Sequence, residues 1–259
     1  MAELRSRIAS LAQALKILEI VIAKSPAGVT LKEISMESGL HYSTVYRYLS
    51  TFEFFGYVRQ RLKGVYIPGT KLLEAGFKAL ASFDLREVAH PILVKLVSKI
   101  GQTVHMAVRE GMEAIYIDKV EGPETLQMRS RIGMKIPLYC TALGKVLLAF
   151  SNDEDIENYL NTVELQPRTL YTIVHPHKLR EELRKVKEKG YAIDNQENEQ
   201  GIMCIGVPVV DFTGKVVAAV SASGFFGDFS EENIQKMLPH LQEATRLISK
   251  ELGCFRQHD

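Results

Sequence analysis

Leu31 to Phe52 reads LKEISMESGLHYSTVYRYLSTF, and the spacing within it decides the fold of the first part of the chain. Leu31 to Ser38 predicts a short helix whose small residue, Ser35, sits where a second helix must approach closely. Gly39 follows, free to take the left-handed backbone conformation that ends a helix in a sharp turn. Six residues later Val45 anchors a second helix, and Tyr48, Leu49 and Phe52 complete its apolar stripe. The opposite face carries Ser43, Tyr46, Arg47 and Ser50, with Thr44 beside them. Short hydroxyls and a guanidinium suit base edges and phosphates in a major groove, so these five are the candidate contacts of a helix-turn-helix to double-stranded DNA. A buried two-helix corner would share the spacing; the flanking residues decide between them.

Upstream, SLAQALKILEIVIAK (10–24) predicts an amphipathic helix with Leu11, Leu15, Leu18 and Ile22 on one face. Ala14, Ile17 and Val21 form a second stripe, more than one packing surface needs, and it is read as a dimer contact. Downstream, Tyr57–Leu62 and Val65–Pro68 predict a hairpin around Lys63-Gly64. Arg59, Arg61 and Lys63 alternate, which points all three to one side as a phosphate-gripping wing.

The charge is unevenly spread. Residues 1–69 hold nine Lys and Arg against five Asp and Glu, whereas the whole chain is nearly balanced at 32 against 31. Only the N-terminal part suits a polyanion, and its modest excess implies that more than one copy binds together. A length of 259 residues fits two domains. The predicted division is a winged helix-turn-helix at 1–69, a linker helix at 70–84 and a second domain at 85–259. Three cysteines without a CxxC pair point to a reducing cytosol. Glu19 interrupts the best apolar run, so no membrane span and a cytoplasmic location are expected.

Beyond the linker, helices are predicted at 85–100, 142–150, 153–161, 177–189 and 231–252, with Ser230 capping the last and Pro239 kinking it. Strands are predicted at 103–109, 113–120 and near 125–131, with a hairpin of Ile202–Val210 and Lys215–Ser223. The irregular alternation gives an α+β domain with a mainly antiparallel sheet. Thr141 is typed to cap the helix at Ala142, whose first amides would offer a seat for a carboxylate, although ordinary capping would look the same. Ser221 and Ser223, two apart on an apolar strand, face one side and need partners if buried. Ile202 and Cys204 share a face in the same way, Cys204 being as typical of a core as of a site.

These segments, in order, resemble one family. The winged helix-turn-helix, TVHMAVREGMEAIYIDKVEG, LYCTALGKVLLAF, GYAIDNQENEQGIMCIGVPV and VSASG are similar to the isocitrate lyase regulator (IclR) family of transcription factors, over nearly the whole chain. The resemblance implies a DNA-binding head, a GAF/profilin-like effector-binding domain, and dimers or tetramers. LQMRSRIGMKIPLYCTALGKVLLAF with DNQENEQGIMCIGVPV looks most like regulators answering to 2-keto-3-deoxygluconate. Carried over by motif, the effector site comprises Ala142 and Leu143, Asp194, Ile202 and Cys204, and Ser221 and Ser223. Met128 and Arg129 lie just upstream as wall residues, with Arg129 a second anion partner or a surface ion pair. Ala142-Leu143 stands where some members have Gly-Ala, which narrows the pocket.

The expected function is a ligand-controlled transcription factor, most simply a repressor of sugar-acid catabolism, with an activator answering another small carboxylic acid as the alternative. An enzyme built on Cys204 and His105 lacks a third orienting group, and neither Asp194 with Cys204 nor His175-Pro176-His177 has metal-ligand spacing. Neither cofactor nor metal is expected.

Overall fold

The computed structural model describes residues 8–62, 64–82, 84–123 and 128–254. Two compact units result, residues 1–83 and 84–259. The first opens with α1 (Ala9–Ala23), β1 (Val29–Thr30), α2 (Leu31–Ser38) and α3 (Tyr42–Phe54). A wing of β2 (Val58–Leu62) and β3 (Val65–Pro68) follows, then α4 (Thr70–Ser82). Thr30 and Glu33 form a capping box that starts α2, and Gly39 ends it at φ 74°. Ser35 does more than leave room: its hydroxyl donates to the Leu40 carbonyl at 2.6 Å and so pins the turn. Ile17, Ile20, Val21, Ile34, Val45 and Leu49 close the core of this unit, with Val29, Val58 and Tyr66 from the strands.

Two expectations change here. The roles of the α1 stripes are reversed, because Ile17 is 0% exposed and Val21 lies with it in the core, while Leu11 and Leu15 are 55% and 50% exposed. Both stripes have helical period, and only the direction of α2 and α3 selects between them. Ile17 is therefore a core residue, and Leu11, Leu15 and Ile22 form the uncovered face. The wing is also more than a hairpin, since β1 adds to β3 in the order β1-β3-β2. A register shift between Gln60 and Leu62 breaks the alternation, and the Arg61 guanidinium donates to the Pro26 and Ala27 carbonyls, both at 3.2 Å. Arg59 stays exposed. Lys63 lies outside the described residues.

The second unit begins with α5 (Leu85–Ile100), capped by Asp84, whose carboxylate accepts from the Arg86 and Glu87 amides. β4 (Thr103–Glu110), β5 (Glu113–Val120) and β6 (Lys135–Pro137) are followed by α6 (Ala142–Ala149), α7 (Asp153–Thr162) and α8 (Pro176–Lys189). Then come β7 (Ala192–Asn195), β8 (Ile202–Val210), β9 (Val216–Phe225) and α9 (Glu231–Glu251). The six strands make one antiparallel sheet in the order β6-β5-β4-β9-β8-β7. The fold is α+β.

Period-2 alternation sends each strand's side chains to two different layers. Val104, Met106, Ile205, Val207 and Val220 pack with Leu93, Leu241 and Ile248 of α5 and α9. On the other face Ala107, Ala114, Ala192 and Ala219 meet α6 to α8, and their small size lets the buried α6 settle close to the sheet. At Gly206 a Cβ would stand 2.8 Å from the Ala142 carbonyl, so only glycine permits the contact. The strand expected near 125–131 is not formed by its described part, Met128–Arg131; residues 124–127 lie outside the described set, and β6 forms further on instead. β7 was not foreseen: its Asp194 and Asn195 hide the alternation, yet Asp194 pairs with Cys204 of β8.

Candidate functional site

Two surfaces carry the chemistry. In the first unit, Val45 and Leu49 fix the rotation of α3, which turns Ser43, Tyr46, Arg47 and Ser50 outward, all exposed, with Thr44 half-buried. His41 caps the helix, and its Nδ1 lies 2.9 Å from the Ser43 hydroxyl, so Ser43 is oriented at the helix start. Tyr42, also exposed, belongs to this same first turn and was not singled out from the sequence.

In the second unit, a cavity of about 440 Å³ opens on the sheet, within the range of small-molecule sites. Five of the eight predicted effector residues stand in its wall: Met128, Asp194, Ile202, Cys204 and Ser223. Arg129 joins them, without an ion-pair or hydrogen-bond partner among the described residues. Ser221 lies one layer behind, buried, its hydroxyl 3.5 Å from that of Ser223. Ala142 and Leu143 are not in the wall. They are 1% and 2% exposed, the Gly144 amide donates to Thr141 Oγ1 at 3.0 Å, and Gly206 presses on the Ala142 carbonyl. The expected carboxylate seat at the start of α6 is thus a capped, sealed helix end.

The remaining wall was missed from the sequence. His105 of β4, buried, holds Ser130 Oγ at 2.7 Å through Nε2 and approaches Ser223 Oγ at 3.4 Å through Nδ1. Its ring packs on Tyr116 at 4.8 Å between centroids. Lys119 donates to the Met128 and Ser130 carbonyls at 3.1 and 2.9 Å, which ties the 128–130 segment across the cavity. Asn198 and Glu199 come from the turn after β7.

Burial governs the ionisation of this wall. Burial, with Lys119 adding to it, pushes His105 down to about 3, so its ring is neutral. Burial and the Glu197 carboxylate push Asp194 up to about 7, against the pull of Lys145 and of two backbone amides. Burial and Asp194 raise the Cys204 thiol well above its usual range. A protonated thiol and a neutral imidazole in one cavity are the reverse of the thiolate–imidazolium pair that nucleophilic catalysis needs. His175 and His177 only stack, 5.6 Å apart, and the described residues hold no group of three metal-type ligands.

Behind Asp194 lies a buried charge cluster with no counterpart in the sequence reading. Lys145 of α6, 0% exposed, donates to Glu197 Oε1 at 2.6 Å, to Glu182 Oε1 at 3.2 Å and to the Ile193 carbonyl. Asp194 Oδ1 accepts from the Glu197 and Asn198 amides at 2.7 and 3.3 Å. A lysine inside the apolar run LGKVLLAF was the available signal, because an ammonium there must bring its own partners.

Comparison with known proteins gives this arrangement its place. Residues 77–250 match the family described as "Bacterial transcriptional regulator IclR C-terminal", and residues 10–62 the "IclR helix-turn-helix domain". The chain is 37% identical to the Escherichia coli HTH-type transcriptional regulator KdgR over 95% of its own length and 93% of that protein. It is 37% identical to the E. coli DNA-binding transcriptional repressor YiaJ over 96% and 90%. Among solved structures it resembles the Thermotoga maritima IclR, at 42% identity and a TM-score of 0.64, covering 95% of this chain and all of that one. No described helix is long and apolar enough to cross a membrane. A helix-turn-helix on one unit and a cavity of small-molecule size on the other are what a ligand-responsive, DNA-binding transcriptional regulator requires, and the chain belongs to the IclR family of such regulators.

Proposed function

We propose that this protein is a cytoplasmic repressor of sugar-acid catabolic genes, released from its operator by a small carboxylic acid of the 2-keto-3-deoxygluconate type. The domain plan behind this reading is a DNA-binding head at 1–69, a linker helix at 70–84 and an effector domain at 85–259. The observation that carries it is the wall of the cavity, where Arg129, unpaired among the described residues, stands with Ser223, Asp194 and Asn198 over an apolar floor of Ile136 and Ile202. A guanidinium suits a carboxylate, and the hydroxyl and carboxyl groups suit a hydroxylated chain. The resemblance of the 126–150 and 194–209 segments to regulators answering to 2-keto-3-deoxygluconate supports the choice of acid.

The DNA contacts proposed are Ser43, Thr44, Tyr46, Arg47 and Ser50 on α3 and Arg59 on the wing, with Lys63 retained from its position. The effector contacts are Met128, Arg129, Asp194, Ile202, Cys204 and Ser223, with Ser221 supporting Ser223. A homodimer, alone or as half of a tetramer, places two recognition helices about 34 Å apart on a palindromic site. The uncovered stripe of Leu11, Leu15 and Ile22 is the face proposed for pairing.

Thermal unfolding with a panel of small acids tests the effector reading. At one hundred times its Kd a ligand adds about 2.7 kcal/mol, worth several degrees for a domain of this size. 2-Keto-3-deoxygluconate is expected to raise the melting temperature; stabilisation by unrelated acids alone would change the ligand, and none at all would remove the site.

A further inference from the structure

The charges around Asp194 do not balance. On its own turn stand Glu197 and Glu199, and Glu182 of α8 reaches the same cluster through Lys145. The cations that face this group are Lys145 from α6, Arg129 from the 128–130 segment and Arg168, whose Nε donates to the Asn198 carbonyl at 3.4 Å. Cys204 of β8, Tyr116 of β5 and Cys140 ahead of α6 stay protonated, each pushed up chiefly by burial, and His105 of β4 is neutral. Lys145 is already spent on Glu197 and Glu182. Asp194 commits Oδ1 to two backbone amides and lines the cavity, which leaves Oδ2 to whatever enters it.

A carboxylate ligand would add one more negative charge beside a buried carboxylate that makes no ion pair among the described residues, Lys145 being held by Glu197 and Glu182. Two such groups in low dielectric cannot both stay ionised, and the cheaper state carries a proton between them. We propose that the buried Lys145–Glu197–Asp194 cluster makes effector capture proton-linked: the acid binds as its anion, and Asp194 takes one proton from solvent and donates it as a hydrogen bond to the ligand. Asp194 is then a proton-coupled recognition group. Lys145 and Glu197 are positioning residues that act through it, Lys145 favouring its ionised form and Glu197 its protonated form. The inference rests on reading the cavity as the effector site.

Free Asp194 titrates near neutrality, at about 7, so the linkage is felt in the ordinary working range. Calorimetry of the full chain with 2-keto-3-deoxygluconate, gluconate and pyruvate, in two buffers of different ionisation enthalpy, counts the proton. Uptake of about half a proton is expected at pH 7, rising toward one by roughly pH 8.5, with Kd weakening about tenfold per pH unit above the break. Asp194→Asn, which keeps the amide-accepting oxygen, is expected to make Kd flat with pH. Glu197→Gln is expected to move the break to lower pH, a shift that loss of structure alone would not produce. Tight binding with a flat profile and no proton uptake in the wild type overturns this inference and leaves the effector reading standing. Failure of every acid to bind overturns both.

Discussion

The two units treat charge in opposite ways. In residues 84–259 His105, Asp118, Lys145, Asp194 and Glu197 are all buried, together with several hydroxyls. Among the described residues of 1–83 no polar or charged side chain is buried, and the core is aliphatic with Tyr66 at its edge. Each pattern follows from its target. A polyanion is met at a surface, where cations stay hydrated until phosphates replace water, so nothing ionisable has to be hidden. A small-molecule effector must be drawn out of water, and its recognition groups have to be desolvated and held by partners beforehand.

The aliphatic core of the first unit is most sensitive to charge at Ile17. Ile17→Glu would bury an unpaired carboxylate in a core that provides no partner, at a cost of more than about 3 kcal/mol. Leu15→Glu, on the uncovered face of the same helix, is expected to leave the unit folded while lowering the oligomeric state. Chemical denaturation and sedimentation on both variants check the pair, and equal stability would overturn the orientation of α1.

A smaller effect sharpens the other half. Asp194 holds a proton in the folded chain that the unfolded chain gives up, so its contribution falls as pH rises from about 4 to about 7. His105 has the opposite sign: held down to about 3, it costs stability as pH falls from about 6.5 toward 3. The two oppose each other between about pH 4 and 6.5. Asp194→Asn removes the first alone, so relative to wild type it should gain stability between pH 4 and pH 8, by no more than about 4 kcal/mol. Denaturant midpoints across that range measure it; a constant difference would mean that Asp194 is ionised throughout.

At the DNA surface Arg47→Ala is expected to cost about 1–3 kcal/mol per half-site if Arg47 reads a base. Arg59→Ala should instead weaken specific and non-specific DNA alike and flatten the salt slope by about one. Arg61→Ala should act mainly through the 26–27 loop it holds, with a smaller change in slope. Binding isotherms across salt separate the three. Smaller still, Ser223→Ala should cost about 0.5–1.5 kcal/mol of effector affinity by calorimetry, with Ser221→Ala weaker because it stands a layer back.

The outward chemistry was the legible part. Val45 and Leu49 fix which way Arg47 points, and that period is written in the sequence. The two stripes of α1 share one period, so Ile17 and Leu11 could not be told apart without the helices that pack on them. Inside the second unit, family motifs led to Asp194, Cys204 and Ser223, but His105 and Tyr116 reach the same cavity from β4 and β5, and Asn198 from the turn after Asp194. Lys145 was concealed for another reason: its partners, Glu182 and Glu197, are 37 and 52 residues away. The start of α6 misled because capping and anion binding ask for the same residues, and only the contact with Gly206 distinguishes them.

On the proposed reading, an acid bound in the Arg129–Asp194 cavity governs the grip on DNA. The direct measurement is the affinity of the full chain for an operator selected from random DNA, with and without 2-keto-3-deoxygluconate, for wild type and Arg129→Ala. The acid is expected to weaken the wild-type complex at least about fivefold, the lower end of ordinary coupling between sites, and to leave the Arg129→Ala complex far less affected. Operator affinity that ignores every acid found to stabilise the protein, or a variant that responds as wild type does, would contradict it.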